Sequence, residues 1–240
     1  MSNDIWVIIP AAGVGKRMQA AIPKQYLSLN GRMVLEHTLR LFINQPKIAG
    51  VVVVISEGDE YWPQVAVQLG SMTQILHLVS GGQERANSVL NGLNYLLDTL
   101  SLPGDTVVLV HDAARPCLPA GDLQALLACA TSLDEQGVLL ATPVRDTMKR
   151  SDSVAGINRV CRTEERDGLW HALTPQMALL GVLRQALQTA LQQGLSVTDE
   201  ASALELMGLQ PRLLEGDASN IKITRPTDLA LADFFLQQNH

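Results

Sequence analysis

The residues best suited by type and spacing to chemistry come early. Ile5-Trp6-Val7-Ile8-Ile9 is an apolar run that stops at Pro10-Ala11-Ala12-Gly13-Val14-Gly15-Lys16-Arg17-Met18, and Pro23-Lys24-Gln25-Tyr26 follows. A buried strand opening into small residues, glycines and adjacent cations puts bare backbone N–H groups and fixed positive charge at one sheet edge. That is an anion site, suited to a nucleoside triphosphate. A glycine turn carrying surface cations is the alternative for so short a pattern. Two better-known phosphate loops are excluded by spacing. A P-loop needs Ser or Thr after its Gly-Lys and a Gly five positions before the last Gly, where this chain has Arg17 and Pro10. A dinucleotide fingerprint needs a third small residue for close helix packing, and Met18 is too bulky.

Asp112 ends an apolar run and precedes Ala113-Ala114-Arg115-Pro116. An acid at the carboxyl end of a central strand sits at the ligand crevice. Beside a triphosphate its partner would be Mg²⁺, which takes one or two carboxylates and otherwise water and phosphate oxygens. Capping the next turn, or pairing with Arg115, explains the same residue equally well. Gly81-Gly82-Gln83-Glu84-Arg85-Ala86-Asn87-Ser88 also follows a strand-like run. Its glycines let backbone approach a ligand and read a base edge, with Ser88 as a hydroxyl donor. For Glu84 and Arg85, a tight turn with a helix start is the better account.

Lys16, Arg17, Lys24 and Lys222 are candidate anion contacts, although a lysine is by default a solvated surface charge. Lys222 lies within Asn220-Ile221-Lys222-Ile223-Thr224, so on a strand it points opposite to its apolar neighbours. His37, His77, His111, His171 and His240 form no metal-ligand pattern, and a lone His is by default structural. No Gly-x-Ser-x-Gly or Cys with a persuasive base stands out, which favours chemistry without a covalent enzyme intermediate.

The elements that must position these groups alternate along the chain. Val51 to Ile55, Ile75 to Val79, Thr106 to Val110 and Gly137 to Ala141 read as buried strands. Val34 to Phe42, Ser88 to Leu97 and Leu123 to Ser132 read as amphipathic helices. This alternation predicts an α/β fold, Rossmann-like, with a mostly parallel sheet and helices on both faces. Ligands in such sheets bind beyond the strands' carboxyl ends, where Pro10 to Arg17, Gly81 to Ser88 and His111 to Pro116 all fall. After Pro143 the alternation breaks. Val144 to Trp170 is polar and charged, and reads as a projecting arm, a β-hairpin that needs a second surface to pack on, with a mobile surface loop as the alternative. Met177 to Gln193 and Asp199 to Met207 read as helices, Arg212 to Leu214 and Ile221 to Thr224 as short strands, and Pro226 onward as a last helix. One domain over residues 1–240, with the arm inserted at 144–170, is expected.

The 240 residues suffice for one large domain, and an apolar fraction of 47% is ordinary for a globular protein. A net charge of −6 with only 4% aromatics argues against a nucleic-acid surface. No apolar run approaches membrane-spanning length, and the N-terminus is a poor signal peptide. Cys117, Cys129 and Cys161 are too far apart for a metal site, so free thiols in a reducing cytoplasm are expected.

Together these stretches resemble the methylerythritol-phosphate cytidylyltransferases of the non-mevalonate isoprenoid pathway. The likeness rests on the two N-terminal segments and on Val110 to Pro116. It extends through Pro143 to Lys149, Leu169 to Gln176, Thr198-Asp199-Glu200-Ala201 and Asn220 to Pro226, covering almost the whole chain. The resemblance implies a nucleotidyltransferase fold and CMP transfer from CTP to methylerythritol 4-phosphate, with release of pyrophosphate. It implies that Arg17 and Lys24 stabilise the crowded phosphorus, that Lys16 helps hold the triphosphate, and that Asp112 ligates Mg²⁺. Ala11, Ala12, Gly13, Gly15, Gly82, Gln83, Ser88 and Ala113 would line the CTP site. Thr147, Arg166, Thr174, Thr198 and Lys222 would take the second substrate, with Arg166 and Lys222 acting in catalysis. It further implies a homodimer in which the arm clasps the partner and its arginine serves the neighbouring site. Gln83 stands where relatives commonly have Asp, and Lys16 where many have Arg; a Lys lacks the planar fork. A cytidylyltransferase for ribitol phosphate and a catalytically silent nucleotide-binding module are the rival readings. Joint presence of Arg17, Lys24 and Asp112 disfavours the silent module, and the stretch from Leu169 to Gln176 with the arm disfavours ribitol phosphate.

Overall fold

In the computed structural model, residues 5–13, 22–154 and 156–238 are described. The strands are β1 (Ile5–Pro10), β2 (Ser28–Leu29), β3 (Arg32–Met33), β4 (Ile48–Ile55), β5 (Leu76–Ser80), β6 (Val107–Val110), β7 (Val138–Pro143), β8 (Lys149–Val154), β9 (Ile157–Thr163), β10 (Trp170–Leu179) and β11 (Arg212–Glu215). The helices are α1 (Val34–Ile43), α2 (Trp62–Leu69), α3 (Arg85–Asn94), α4 (Ala120–Cys129), α5 (Leu180–Gln192), α6 (Glu200–Leu206) and α7 (Pro226–Gln238).

Seven strands form one sheet in the order β11-β7-β10-β6-β1-β4-β5. β10 runs antiparallel to both its neighbours, and the other pairings are parallel. From β1 the chain builds outward through β4 and β5, then returns to lay β6 on the other side of β1. The order therefore reverses between β1 and β6, and a crevice opens beyond their carboxyl ends.

The apolar runs alternate faces, as the strand period requires. Ile5, Val7, Ile9, Val51, Val53 and Leu109 pack on one side with Leu35, Leu39 and Phe42 of α1, Val65 of α2 and Leu126 of α4. Ile8, Val52, Val54, Val108 and Val110 pack on the other with Val89 and Leu93 of α3, Leu183 and Leu187 of α5 and Leu204 of α6. Trp6 lies opposite Gly50 across the β1–β4 pair, and a Cβ at Gly50 would come within 2.3 Å of the indole. The glycine is the space into which the only large aromatic of β1 fits.

Three expected elements differ. The predicted helix Met177 to Gln193 begins only at Leu180, because Met177 and Ala178 pair with Leu109 and Val108 in the sheet interior. An apolar run buried on both faces has no period that separates strand from helix. Ile221 to Thr224 is not a strand. It is fixed by Ile223 N–H donating to Ala114 O at 2.9 Å and by burial of Ile223 with Leu29, Val34, Cys117 and Ala232. Lys222 still faces away from Ile223, as alternation predicted. The helix expected from Ser88 starts earlier, at Arg85, and passes into a π-helical turn at Tyr95–Thr99.

The segment between β7 and β10 is a hairpin, as its composition suggested. β8 and β9 pair only with each other. At the base, Val144 N–H donates to Leu169 O and Glu164 N–H to Met148 O, both at 2.9 Å. Ile157 and Val160 on β9 are 58% and 66% exposed.

Candidate active site

A cavity of about 310 Å³ opens in the crevice beyond β1 and β6. Ala11, Ala12, Gly13, Lys24, Gly82, Gln83, Ser88, Asp112, Ala113 and Lys222 all line it, segments more than 200 positions apart brought together by the strand order. Gly15, Lys16 and Arg17 lie outside the described residues.

The loop after β1 is held through its carbonyls. Gln25, buried in the turn after Pro23, donates from Nε2 to Ala11 O and to Gly13 O, the latter at 3.0 Å. The Ser56 hydroxyl donates to Ala12 O at 2.9 Å. Ala11 N–H continues the ladder to Val54 O at 2.7 Å. Among the described residues, the N–H groups of Ala12 and Gly13 then have no acceptor. Successive free N–H groups beside lysines form a concavity for an anion. Tyr26 anchors the same turn by donating to Asp59 Oδ2 at 2.8 Å, while Lys24 Nζ donates to Ile223 O at 2.9 Å. Gly81 packs so closely on Ala12 that a Cβ would sit 2.3 Å from the alanine methyl. Only small residues allow these two loops to meet.

Asp112, at the end of β6, is buried among cations. Its Oδ1 accepts from Arg85 Nε at 3.0 Å, and its Oδ2 from Lys222 Nζ at 2.8 Å and Arg115 Nε at 3.4 Å. Burial alone would raise its pKa, but Arg85, Lys222 and Arg115 outweigh that and hold the carboxyl well below the usual carboxylate range. Pairing with Arg115, one of the two readings left open by the sequence, is therefore real, yet it does not exhaust the carboxylate. An ionised carboxylate has about four acceptor sites, so three cations do not exhaust its acceptor capacity. Among the described residues, no cluster of three or more His, Cys, Asp or Glu side chains forms. A single carboxylate beside an anion pocket fits Mg²⁺ that arrives on phosphate oxygens rather than one caged by protein.

His111 is structural. Burial pushes its pKa down to about 4. Its Nε2 is 3.0 Å from Arg115 O, a pure acceptor, which assigns the proton to that nitrogen. Nδ1 then accepts from the Thr174 hydroxyl at 3.0 Å, whose oxygen accepts from Asp112 N–H at 3.1 Å. Thr174 thus lies buried beneath Asp112. Ser88 lines the cavity, but its hydroxyl donates to Glu84 O and accepts from Gly82 N–H, both at 3.1 Å. The expected hydroxyl donor instead clamps the glycine turn.

Thr147, Arg166 and Thr198 are exposed and outside the cavity. Arg166 sits on the arm, donating to Arg145 O. Sequence reasoning missed two residues that organise the site. Gln25 stood beside Lys24 in a quoted motif without a role. Arg85, read as a helix start, does open α3 but also joins Asp112 to the buried Glu200.

The family model described as 2-C-methyl-D-erythritol 4-phosphate cytidylyltransferase matches residues 5–238. The chain belongs to this cytidylyltransferase family. A relative of that name from Alteromonas mediterranea is 52% identical over 237 residues, covering 99% of this chain and 94% of its own. One from Actinobacillus pleuropneumoniae is 50% identical over 239 residues, covering 100% and 99%. Among solved structures, a 4-diphosphocytidyl-2C-methyl-D-erythritol synthase superposes with a TM-score of 0.82 at 36% identity, covering 97% of this chain and 99% of that one. The Francisella tularensis 2-C-methyl-D-erythritol 4-phosphate cytidylyltransferase gives 0.80 at 37% identity, with the same coverage. The mostly parallel α/β sheet expected from the strand alternation, and the nucleotidyltransferase fold implied by the resemblance, are the fold of these cytidylyltransferase neighbours.

Gln25→Leu keeps the side chain's bulk and removes its two donors. Calorimetry should show inorganic triphosphate binding weakened about tenfold, the cost of roughly one lost polar contact in a buried setting. Unchanged affinity would mean that the loop holds its shape without Gln25.

Proposed function

We propose that this chain transfers CMP from CTP to 2-C-methyl-D-erythritol 4-phosphate, giving 4-diphosphocytidyl-2-C-methyl-D-erythritol and pyrophosphate. The observation that carries the reading is the cavity at the strand-order reversal, where free loop N–H groups, Lys24, Lys222 and ionised Asp112 converge. An oxygen of the acceptor phosphate attacks the α-phosphorus in line. The new P–O bond forms as the bond to the β-phosphate oxygen breaks, and its electron pair leaves with pyrophosphate. No proton needs to be taken from the attacking phosphate dianion. Catalysis then rests on positioning and on charge placed where it develops.

Ala12 and Gly13 N–H groups and Lys24 are proposed to hold the triphosphate, with Lys16, Arg17 and Gly15 from the adjoining segment. Gly82 and Gln83 border the base, with Ala11, Ala113 and Ser88 shaping the wall. When bound, Mg²⁺ neutralises charge on the phosphates, and Asp112 is the side chain that would hold it. Thr147, Arg166, Thr198 and Lys222 are proposed to take the acceptor, while Thr174, buried with its hydroxyl committed to His111 and Asp112, supports the wall beneath. Two features support a homodimer through the arm: Ile157 and Val160 are exposed on β9, and Arg166 stands away from the cavity of its own chain. We read the chain as one catalytic domain with this arm, working in the cytoplasm. No helix among the described residues is long and apolar enough to cross a membrane.

Lys24→Ala should lower kcat about 10²–10³-fold with the circular dichroism spectrum unchanged, the scale for loss of one oriented transition-state contact. Near-wild-type turnover would contradict the assignment. Mixing inactive Lys24→Ala and Arg166→Ala chains should restore part of the activity, because one site of the mixed dimer carries both intact residues. No rescue in confirmed mixed dimers would place the whole site within one chain.

A further inference from the structure

Arg85 is an unusual residue for its position. It opens α3, where the helix dipole disfavours a cation, and its side chain is largely buried. Its guanidinium is committed on every nitrogen. Nε donates to Asp112 Oδ1 at 3.0 Å, while Nη1 and Nη2 grip Glu200 Oε1 and Oε2 at 2.7 and 3.1 Å. Glu200 opens α6, where a carboxylate suits the dipole, and its side chain is only 2% exposed. Its segment is pinned in turn. Gln176 on β10 donates to Asp199 Oδ2 at 2.8 Å and accepts from Ala201 N–H at 2.7 Å.

We propose that Arg85 is a positioning residue for cytidylyl transfer: anchored by Glu200, it fixes the Asp112 carboxylate and, through it, the Lys222 ammonium at the cavity wall. The role rests on the proposed reaction and adds to it a chain of charges, Glu200–Arg85–Asp112–Lys222, running from the N-terminus of α6 to the cavity wall. A carboxylate free to rotate would let Lys222 follow it. With Arg85 locked on Oδ1, only Oδ2 is turned to Lys222, at 2.8 Å. The planar fork matters because it meets one carboxylate with two nitrogens while the third holds another; a lysine ammonium is a point charge with no such fork. The contrary reading is that Arg85 is itself a phosphate contact, restrained by Glu200 until ligand arrives. The two differ in what cutting the anchor does.

Glu200→Gln preserves size and removes the anchoring charge. Steady-state kinetics should show kcat down about 10–100-fold, the usual scale for partners that orient a ligating carboxylate. KM for the acceptor phosphate should rise several-fold more than KM for CTP, because Lys222 is proposed to face the acceptor. General destabilisation would not split the two constants. Arg85→Lys should show the same split, and carries the test if Glu200→Gln does not fold. The double variant should be no worse than the more impaired single one, because both changes cut one link. Wild-type kcat in Glu200→Gln, a raised kcat, or losses that multiply in the double variant would overturn the role. Wild-type turnover is measured first. Its failure would overturn the proposed function itself, whereas normal wild-type turnover with an unimpaired Glu200→Gln would overturn only the positioning role.

Discussion

The site depends on one buried carboxylate. Asp112 sits at the end of a central strand with three cations on its two oxygens, and each cation comes from a different part of the chain: Arg85 from the start of α3, Arg115 from the following turn, Lys222 from the segment before α7. Removing one partner from a buried ion pair costs about 3–5 kcal/mol, because the remaining charge is stranded in a poor solvent. The carboxylate is thus a fixed point. It ties α3 and the C-terminal segment to β6, and by doing so it sets where positive charge faces the cavity. With Glu200 included, three cations stand against two carboxylates. The surplus favours a polyanion even though the whole chain carries a net charge of −6. Local charge decides what binds, and net charge only bounds it.

The sheet supplies the geometry that makes this possible. Reversal of strand order between β1 and β6 leaves their carboxyl ends adjacent and uncovered by a crossover, so the loop from Ala11 and the turn from His111 meet across a gap. Small residues then set the closeness. Ala12 against Gly81 admits no further methyl, and Gln25 and Ser56 tie down the loop carbonyls. His111 and Thr174 lock Asp112 from beneath through its own N–H. These bonds leave the loop N–H groups and the Lys222 ammonium at the cavity wall. That is the arrangement a phosphoryl-transfer site needs, since charge must be met by dipoles already in place.

Much of this was legible in the sequence because the informative residues lie where local rules act. Asp112, Ala11 to Gly13 and Gly82 follow apolar runs directly, and strand ends in alternating α/β chains converge on ligands. The hairpin was legible from the loss of periodicity after Pro143. Met177 was misplaced because a strand buried on both faces and a buried helix turn share a composition. Lys222 was read on a strand that does not form, yet faced correctly, since burial of Ile223 imposes the same alternation without a ladder. The link from Arg85 to Glu200 was not legible: the pair is 115 positions apart, and nothing local distinguishes Glu200 from any acid in a helix's first turn. Gln25 was hidden for a similar reason, because its role lies in the distant loop carbonyls it ties down.

The central claim, that this cavity joins CMP to methylerythritol 4-phosphate, is tested most directly by pyrophosphate release from the purified chain with CTP and Mg²⁺. Methylerythritol 4-phosphate and ribitol 5-phosphate would be compared as acceptors. The account predicts rapid release with the former and little with the latter. Preference for ribitol 5-phosphate, or no release with either despite measurable CTP binding, would contradict it.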